Sequence, residues 1–293
     1  MFKINQKIQD QNHTILIVNA DDFGISDSVN AGILESHFNG IVTSTTMLAN
    51  GPAFEQGVAQ LQQAPRLGVG VHLNILRGRP ILAANTLPHI TRQGRFHLTW
   101  KRLIQVYDRR ILLEIEREYR AQIEKVLSHG IAITHLDSEK HHHHFPPLFQ
   151  MITHLLESYP IPAIRCAPES LSTRYGLTKM ASVFMLNILV WRNRFRLRSR
   201  AIRCPQHQTG IAMTGSLDLN GLKAVLQTLP PGVNELCCHP GRVDALHKQQ
   251  IIDFGTFYID STRETEMSAL TNPSIKQMLL ASGIKLISYA ELP

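Results

Sequence analysis

TILIVNADDFG, residues Thr14 to Gly24, is where the fold is decided. The run from Thr14 to Asn19 lacks polar alternation, as expected of a strand covered on both faces, and it delivers Asp21 and Asp22 at its C-terminal end. Ser26 or Asp27 then caps a helix whose apolar positions Val29, Ile33, Leu34 and Phe38 follow a 3.6-residue period, with Asn39-Gly40 as its stop. The opening unit is strand, polar turn, helix.

The unit recurs along the chain. Strands are predicted at Ile41 to Leu48, Leu67 to Asn74, Ile131 to Asp137, Ala163 to Ala167, Asn234 to His239 and Lys285 to Leu292. Helices are predicted between them at Phe54 to Gln63, about Arg110 to Ser128, Pro147 to Ser158, Leu219 to Leu229 and Pro273 to Ala281. Such alternation implies an α/β protein with a parallel sheet. About seven units, with irregular insertions around Arg77 to Trp100 and Glu169 to Thr214, predict a distorted or closed β/α barrel. An open doubly wound sheet is disfavoured, because titratable residues stand at many strand ends instead of one switch point. The 293 residues then divide into a loose polar leader over 1–13 and one barrel domain over 14–293.

An apolar fraction of 43% with 18% charged residues excludes disorder and leaves enough aliphatic residues for a large core. The four cysteines show no CxxC spacing, and Cys237-Cys238 is poor disulfide geometry, so reduced thiols and a cytoplasmic setting are expected. Residues 1–13 contain no apolar core of a signal peptide or anchor.

The net charge of +7 is unevenly placed: Arg192, Arg194, Arg196, Arg198, Arg200 and Arg203 follow the apolar stretch Met180 to Trp191. That stretch falls short of the roughly twenty residues a spanning helix needs. An apolar segment beside arginines suits peripheral contact with anionic lipid headgroups at the inner membrane face, and equally a core helix followed by a solvated basic loop. Nucleic acid is disfavoured, because Trp191 and Phe195 are the only aromatics interleaved with the basic run. Association as a homodimer is a further expectation.

Four strand ends carry the chemistry. In the strand Leu67 to Asn74, Gly68 and Gly70 precede His72 on one face, which predicts an imidazole aimed into a cleared space, or else a core histidine bonded to a carbonyl. Asp21 and Asp22 repel unless a cation or proton is shared between them, unless they form only a polar turn. The stretch from Thr134 to Pro146 holds five histidines and two acids, the donor types of divalent metal sites, with a solvated polar loop as the bland alternative. His239, before Pro240-Gly241, closes the set.

These residues match a pattern. VNADDFG (18–24), GIVTSTTML (40–48), GVHLN (70–74), THLDS (134–138) and CHP (238–240) resemble the YdjC-like carbohydrate deacetylases, in order and across nearly the whole chain. The resemblance implies a distorted, polysaccharide-deacetylase-like β/α barrel, one divalent metal ion (Mg2+ or Zn2+), and removal of acetyl groups from an N-acetylated sugar or glycolipid. It makes Asp21 the general base, His239 the general acid, and Asp22 and His72 metal ligands, with Asn74, Asp137, His143 and Arg165 placed around the substrate. The family has histidine where this chain has Glu139. Either Glu139 ligates in its place, or His141 does, two residues further along an extended segment and so facing the same side. The rival expectations are a carbohydrate-binding protein without catalysis and a metal-dependent phosphoesterase, the latter without a Gly-rich phosphate loop in the sequence.

Overall fold

The computed structural model describes residues 13–103, 107–170, 176–243 and 251–293. All of the leader expected over 1–13 except His13 lies outside them. Seven strands form one parallel sheet: β1 (Thr14–Phe23), β2 (Ser44–Met47), β3 (Gly68–Leu73), β4 (Ile133–Ser138), β5 (His207–Thr209), β6 (Gly232–Cys238) and β7 (Lys285–Leu286). Their order is β4-β3-β2-β1-β6-β5, with β7 paired to Ile15 and Leu16 of β1. The surrounding helices are α1 (Asp27–Phe38), α2 (Phe54–Leu61), α3 (Arg109–Ser128), α4 (Pro146–Ser158), α5 (Leu177–Leu197), α6 (Leu219–Gln227), α7 (Thr262–Thr271) and α8 (Pro273–Ala281).

The predicted strand Ala163 to Ala167 makes no ladder. Its segment instead spans the two sheet edges through single bridges, Leu136 with Ile164 on β4, Ala163 with Arg203, and Glu169 with Gln208 on β5. The curled sheet is therefore a distorted barrel, closed on one side by irregular backbone. The sequence reading did not predict β5 or α7, and Lys285 to Leu292 contributes two ladder residues before turning into a 3₁₀ turn at Tyr289–Glu291.

A period of two sorts each strand's side chains between two environments. On β1, Leu16, Val18 and Ala20 join the main core beneath the helices, whereas Ile15 and Ile17 pack inside the barrel with Val233, Ile287 and Tyr289. Full burial of each such aliphatic side chain stabilises by about 1.5–3 kcal/mol. Continuing along the inner face, the apolar layer gives way to Asn19 and Asp21 of β1, Glu235 and Cys237 of β6, and His135 and Asp137 of β4, all buried. The strands are parallel, so their C-terminal ends open together at one mouth.

The insertion from Glu169 to Thr214 contains α5, which is a core helix on one face only: Val190 and Leu197 join the main core. Phe184, Trp191 and Phe195 are 55%, 60% and 69% exposed, and Arg192, Arg194 and Arg196 continue the helix instead of forming a loop.

Candidate active site

Two consecutive residues of a regular strand point to opposite faces, yet Asp21 and Asp22 both line one cavity. The β1–β2 register shifts between Ala20 and Phe23, and Asp22 adopts φ 78, a left-handed conformation unusual for a non-glycine residue. This bulge turns both carboxylates toward the mouth.

The cavity, of about 1000 Å³, is lined at its polar end by Asp21, Asp22, His72, Glu139, His141 and His239. His72 is oriented by Asp137, whose Oδ1 lies 2.7 Å from Nδ1, and its Nε2 faces Asp22 Oδ1 at 3.8 Å and Glu139 Oε2 at 3.7 Å. Burial opposes charge on His72, but Asp137, Glu139 and Asp21 outweigh it and raise its pKa well above the usual histidine range. Ligand atoms of Asp22, His72 and Glu139 lie within 4.8 Å of one another. Each carboxylate is braced from behind: Arg263 donates to Asp22 Oδ2 at 3.0 Å, Arg77 to Glu139 Oε1 at 3.0 Å, and Tyr258 to Glu139 Oε2 at 2.7 Å. Burial opposes charge on Glu139 too, but His72, Tyr258 and Arg77 prevail and its pKa falls to about 2.

Two other groupings within the same reach fit a cation less well. Asp21, His72 and Asp137 converge, but Arg165 donates to both carboxylates, putting a fixed positive charge where an ion would sit. Asp21, Cys237 and His239 converge as well, but burial pushes the Cys237 thiol well up, and the thiol is a far weaker ligand than the thiolate. The donor set of two carboxylates and one imidazole suits a hard or borderline divalent ion.

Asp21 is held by Arg165, with Nη1 2.8 Å from Oδ2 and Nη2 2.7 Å from Oδ1, and by Asn19 at 2.8 Å. Burial works against its charge, yet Arg165, His72 and His239 together hold its pKa well below the carboxylate range. His239 places Nε2 4.0 Å from Asp21 and Nδ1 3.9 Å from Glu266, with its ring edge-on to Phe257. Glu266 also accepts the His239 backbone N–H at 2.6 Å.

The remaining predicted residues, Asn74, Asp137, His143 and Arg165, are engaged with protein groups. Asn74 spends its side chain on the loop after β3, accepting from Leu76 and Arg77 and donating to Asn50 and the Arg77 carbonyl. His143 commits one ring nitrogen to Ser138 at 2.6 Å and the other to the Arg165 carbonyl at 2.9 Å. Arg165 and Asp137 are fully buried within the barrel.

The space cleared by Gly68 and Gly70 serves a neighbour instead of a ligand: a Cβ at Gly70 would come within 2.5–2.8 Å of the His135 ring, which stacks on Tyr289 at 3.6 Å. The extended segment assumed for His141 is a tight 3₁₀ turn, Glu139–His144, with Lys140 and His141 at φ 51 and 54. The turn leaves His141 half-buried on the cavity wall, outside the groupings formed by the described residues.

Sequence reasoning missed Arg77, Tyr258, Arg263 and Glu266. The last three come from the segment after β6, where no strand end flags them, and only chain folding brings them to the mouth.

The family model for "YdjC-like protein" matches residues 15–281. A carbohydrate deacetylase of Geobacillus stearothermophilus is 33% identical over 278 residues, 94% of this chain and 96% of that protein. A chitooligosaccharide deacetylase of Citrobacter koseri is 30% identical over 285 residues, covering 95% and 99%. A crystal structure from Enterococcus faecalis V583, described as a cellobiose-phosphate cleavage protein, superposes with a TM-score of 0.71 at 25% identity, covering 94% of this chain and 98% of that one.

Proposed function

The chain belongs to the YdjC-like protein family, and on that premise we propose that it is a carbohydrate deacetylase: a hydrolase that removes acetyl from an N-acetylated amino sugar, with one divalent metal ion as cofactor. The observation that carries this reading is the convergence of Asp22, His72 and Glu139 within 4.8 Å, in a cavity that Asp21 and His239 also line.

Amide hydrolysis needs an activated water, a polarised carbonyl and a proton for the departing amine. A divalent ion held by Asp22, His72 and Glu139 supplies Lewis acidity for the first two. Asp21 is the carboxylate placed to accept the water's proton. Its bidentate pairing with Arg165 fixes its direction and keeps it ionised, at the expense of basicity. His239, backed by Glu266, stands 4.0 Å from Asp21 and is placed to protonate the leaving nitrogen. Asp137 holds the His72 ring so that Nε2 faces the two carboxylates.

The experiment is acetate release from N-acetylglucosamine oligomers by protein stripped with a chelator and reloaded with Mg2+ or Zn2+. Activity should vanish on stripping and return on reloading. Metal binding without acetate release would reassign the chain to carbohydrate binding, and release of phosphate from phosphorylated sugars would make it a phosphoesterase.

A further inference from the structure

One face of α5 is left uncovered by the described residues. Leu177, Ala181, Phe184, Ile188, Trp191 and Phe195 follow one another at alternating steps of four and three, so they form a single stripe about 30 Å long. All six are exposed, the five large ones from 48% at Ile188 to 84% at Leu177, and Met185 beside them is 59% exposed. The opposite face anchors the helix: Asn187 exchanges hydrogen bonds with the Glu169 backbone, Asn193 donates to the His144 carbonyl, and Arg194 donates to the Cys166 and Pro205 carbonyls.

The segment that carries the stripe has one sign of charge. Between Ser170 and Leu217 the sequence has eight Lys and Arg and no Asp or Glu, in a chain whose net charge is +7. Arg200 is engaged with Glu157 and Arg203 with the Leu292 carbonyl, whereas Arg192, Arg196 and Arg198 stand exposed at the C-terminal end of α5. The stripe also borders the active-site cavity, because Ala181, Met185 and Ile188 are both exposed and part of its wall. No helix among the described residues is long and apolar enough to cross a membrane.

We propose that α5 seats the protein on an anionic lipid surface, with its apolar stripe at the acyl boundary and Arg192, Arg196 and Arg198 at the headgroups. The cavity then opens on that surface and takes an N-acetylated amino sugar carried on a lipid. An exposed apolar face flanked by arginines is the composition of an interfacial helix. A second copy of this chain is the weaker occupant, since a two-fold contact through α5 would bring two cationic segments together with no acidic residue in either. The lipid-borne substrate rests on the deacetylase reading above, whereas the docking does not.

The test is co-sedimentation of the full chain with vesicles of phosphatidylglycerol and phosphatidylcholine, compared with phosphatidylcholine alone. The parent should bind the anionic vesicles. Binding should be lost in the Phe184→Ser, Trp191→Ser, Phe195→Ser triple variant. In Arg192→Gln, Arg196→Gln, Arg198→Gln it should fall on the order of 100-fold, at about 1 kcal/mol for each arginine. The three aromatic positions are exposed and lie outside the cavity, so that variant should melt like the parent and still release acetate from soluble N-acetylglucosamine oligomers, while losing release from lipid-linked N-acetylglucosamine in vesicles. Equal vesicle binding by parent and aromatic variant overturns the proposal, and so does a parent dimer that this variant dissolves while neither protein binds vesicles. Failure to bind vesicles while soluble oligomers are deacetylated removes the docking alone. Vesicle binding without acetate release from either substrate removes the deacetylase reading and the lipid-borne substrate, and upholds the docking.

Discussion

Arg165 grips both carboxylate oxygens of Asp21, at 2.8 and 2.7 Å, while its Nε meets Glu235 at 2.7 Å and its Nη1 meets Asp137 at 2.6 Å. One buried guanidinium thus compensates three buried carboxylates, and Tyr289 donates to the far oxygen of Glu235. Removing one member of such a group leaves the others uncompensated, at about 3–5 kcal/mol. Arg165→Met should therefore lower the free energy of unfolding by that order in urea titrations. Arg165→Lys, which keeps the charge but not the planar fork, should recover only part of it. A stability unchanged in Arg165→Met would refute this account of the barrel interior.

Asp21→Asn preserves shape and removes the proton acceptor. Acetate release should fall by about 10² to 10⁴ while metal binding persists, because the lost group is a base and not a ligand. Calorimetric metal titration beside the rate assay checks both halves, and a loss of metal affinity matching the loss of rate would move Asp21 into the ligand set.

Glu139 and His141 separate cleanly. Glu139 faces His72 at 3.7 Å and shares a grouping with Asp22, whereas His141 stands apart on the wall. Glu139→Ala should abolish stoichiometric metal binding and His141→Ala should retain it. The reverse result would mean that the turn rearranges when the ion enters.

Asp137→Asn tests the support of His72. With the carboxylate at Nδ1 gone, the ring loses the partner that fixes its tautomer, and metal affinity should drop about 10- to 100-fold. An unchanged dissociation constant would show that packing alone orients the imidazole.

Stability of the metal-free protein should fall with acid. Burial holds His142 down to about 4 and, with the charges of Arg165 and His142, His144 down to about 3, and it also lowers His135, His141 and His143. In the unfolded chain these groups titrate near 6.5, so below that pH the unfolded state binds more protons than the native state and stability declines as pH falls from 6.5 toward 4. His142 alone contributes on the order of 3 kcal/mol across that window. Glu169, pushed up to about 7 mainly by burial, acts in the opposite sense, its contribution present below its unfolded pKa and lost as pH rises to 7. Glu118, Glu235 and Glu266, raised mainly by burial, and His72, raised by its carboxylate neighbours against burial, act with Glu169. The large depressions of all five histidines outweigh them, and the net trend is downward. Urea midpoints measured across the window check it, and a flat profile would show the histidines are solvated.

Much of the fold was legible because hydrophobic periodicity is local. Thr14 to Phe23 reads as a buried strand from its residue types, and the ends of β1, β3, β4 and β6 were visible as polar punctuation after apolar runs. Where pairing depends on distant backbone the reading failed. Ala163 to Ala167 has strand composition but meets its neighbours only at single bridges, and His207–Thr209 has little apolar character yet pairs with β6. The apolar stretch on α5 read equally as a lipid-facing or a core segment, because an apolar helical face looks the same whether a partner covers it or not.

The sequence by itself determined that titratable residues stand at four parallel strand ends, since strand direction and period two place them at one mouth. Only the tertiary structure decided which of them meet. The bulge at Asp22 turns two neighbours to one side, the turn at Lys140 and His141 sends Glu139 to His72 and His141 to the wall, and Arg165, with its guanidinium inside the barrel, emerges as the counter-charge of Asp21. Those outcomes depend on left-handed backbone positions and on charges brought together from far along the chain, and neither leaves a mark in local sequence.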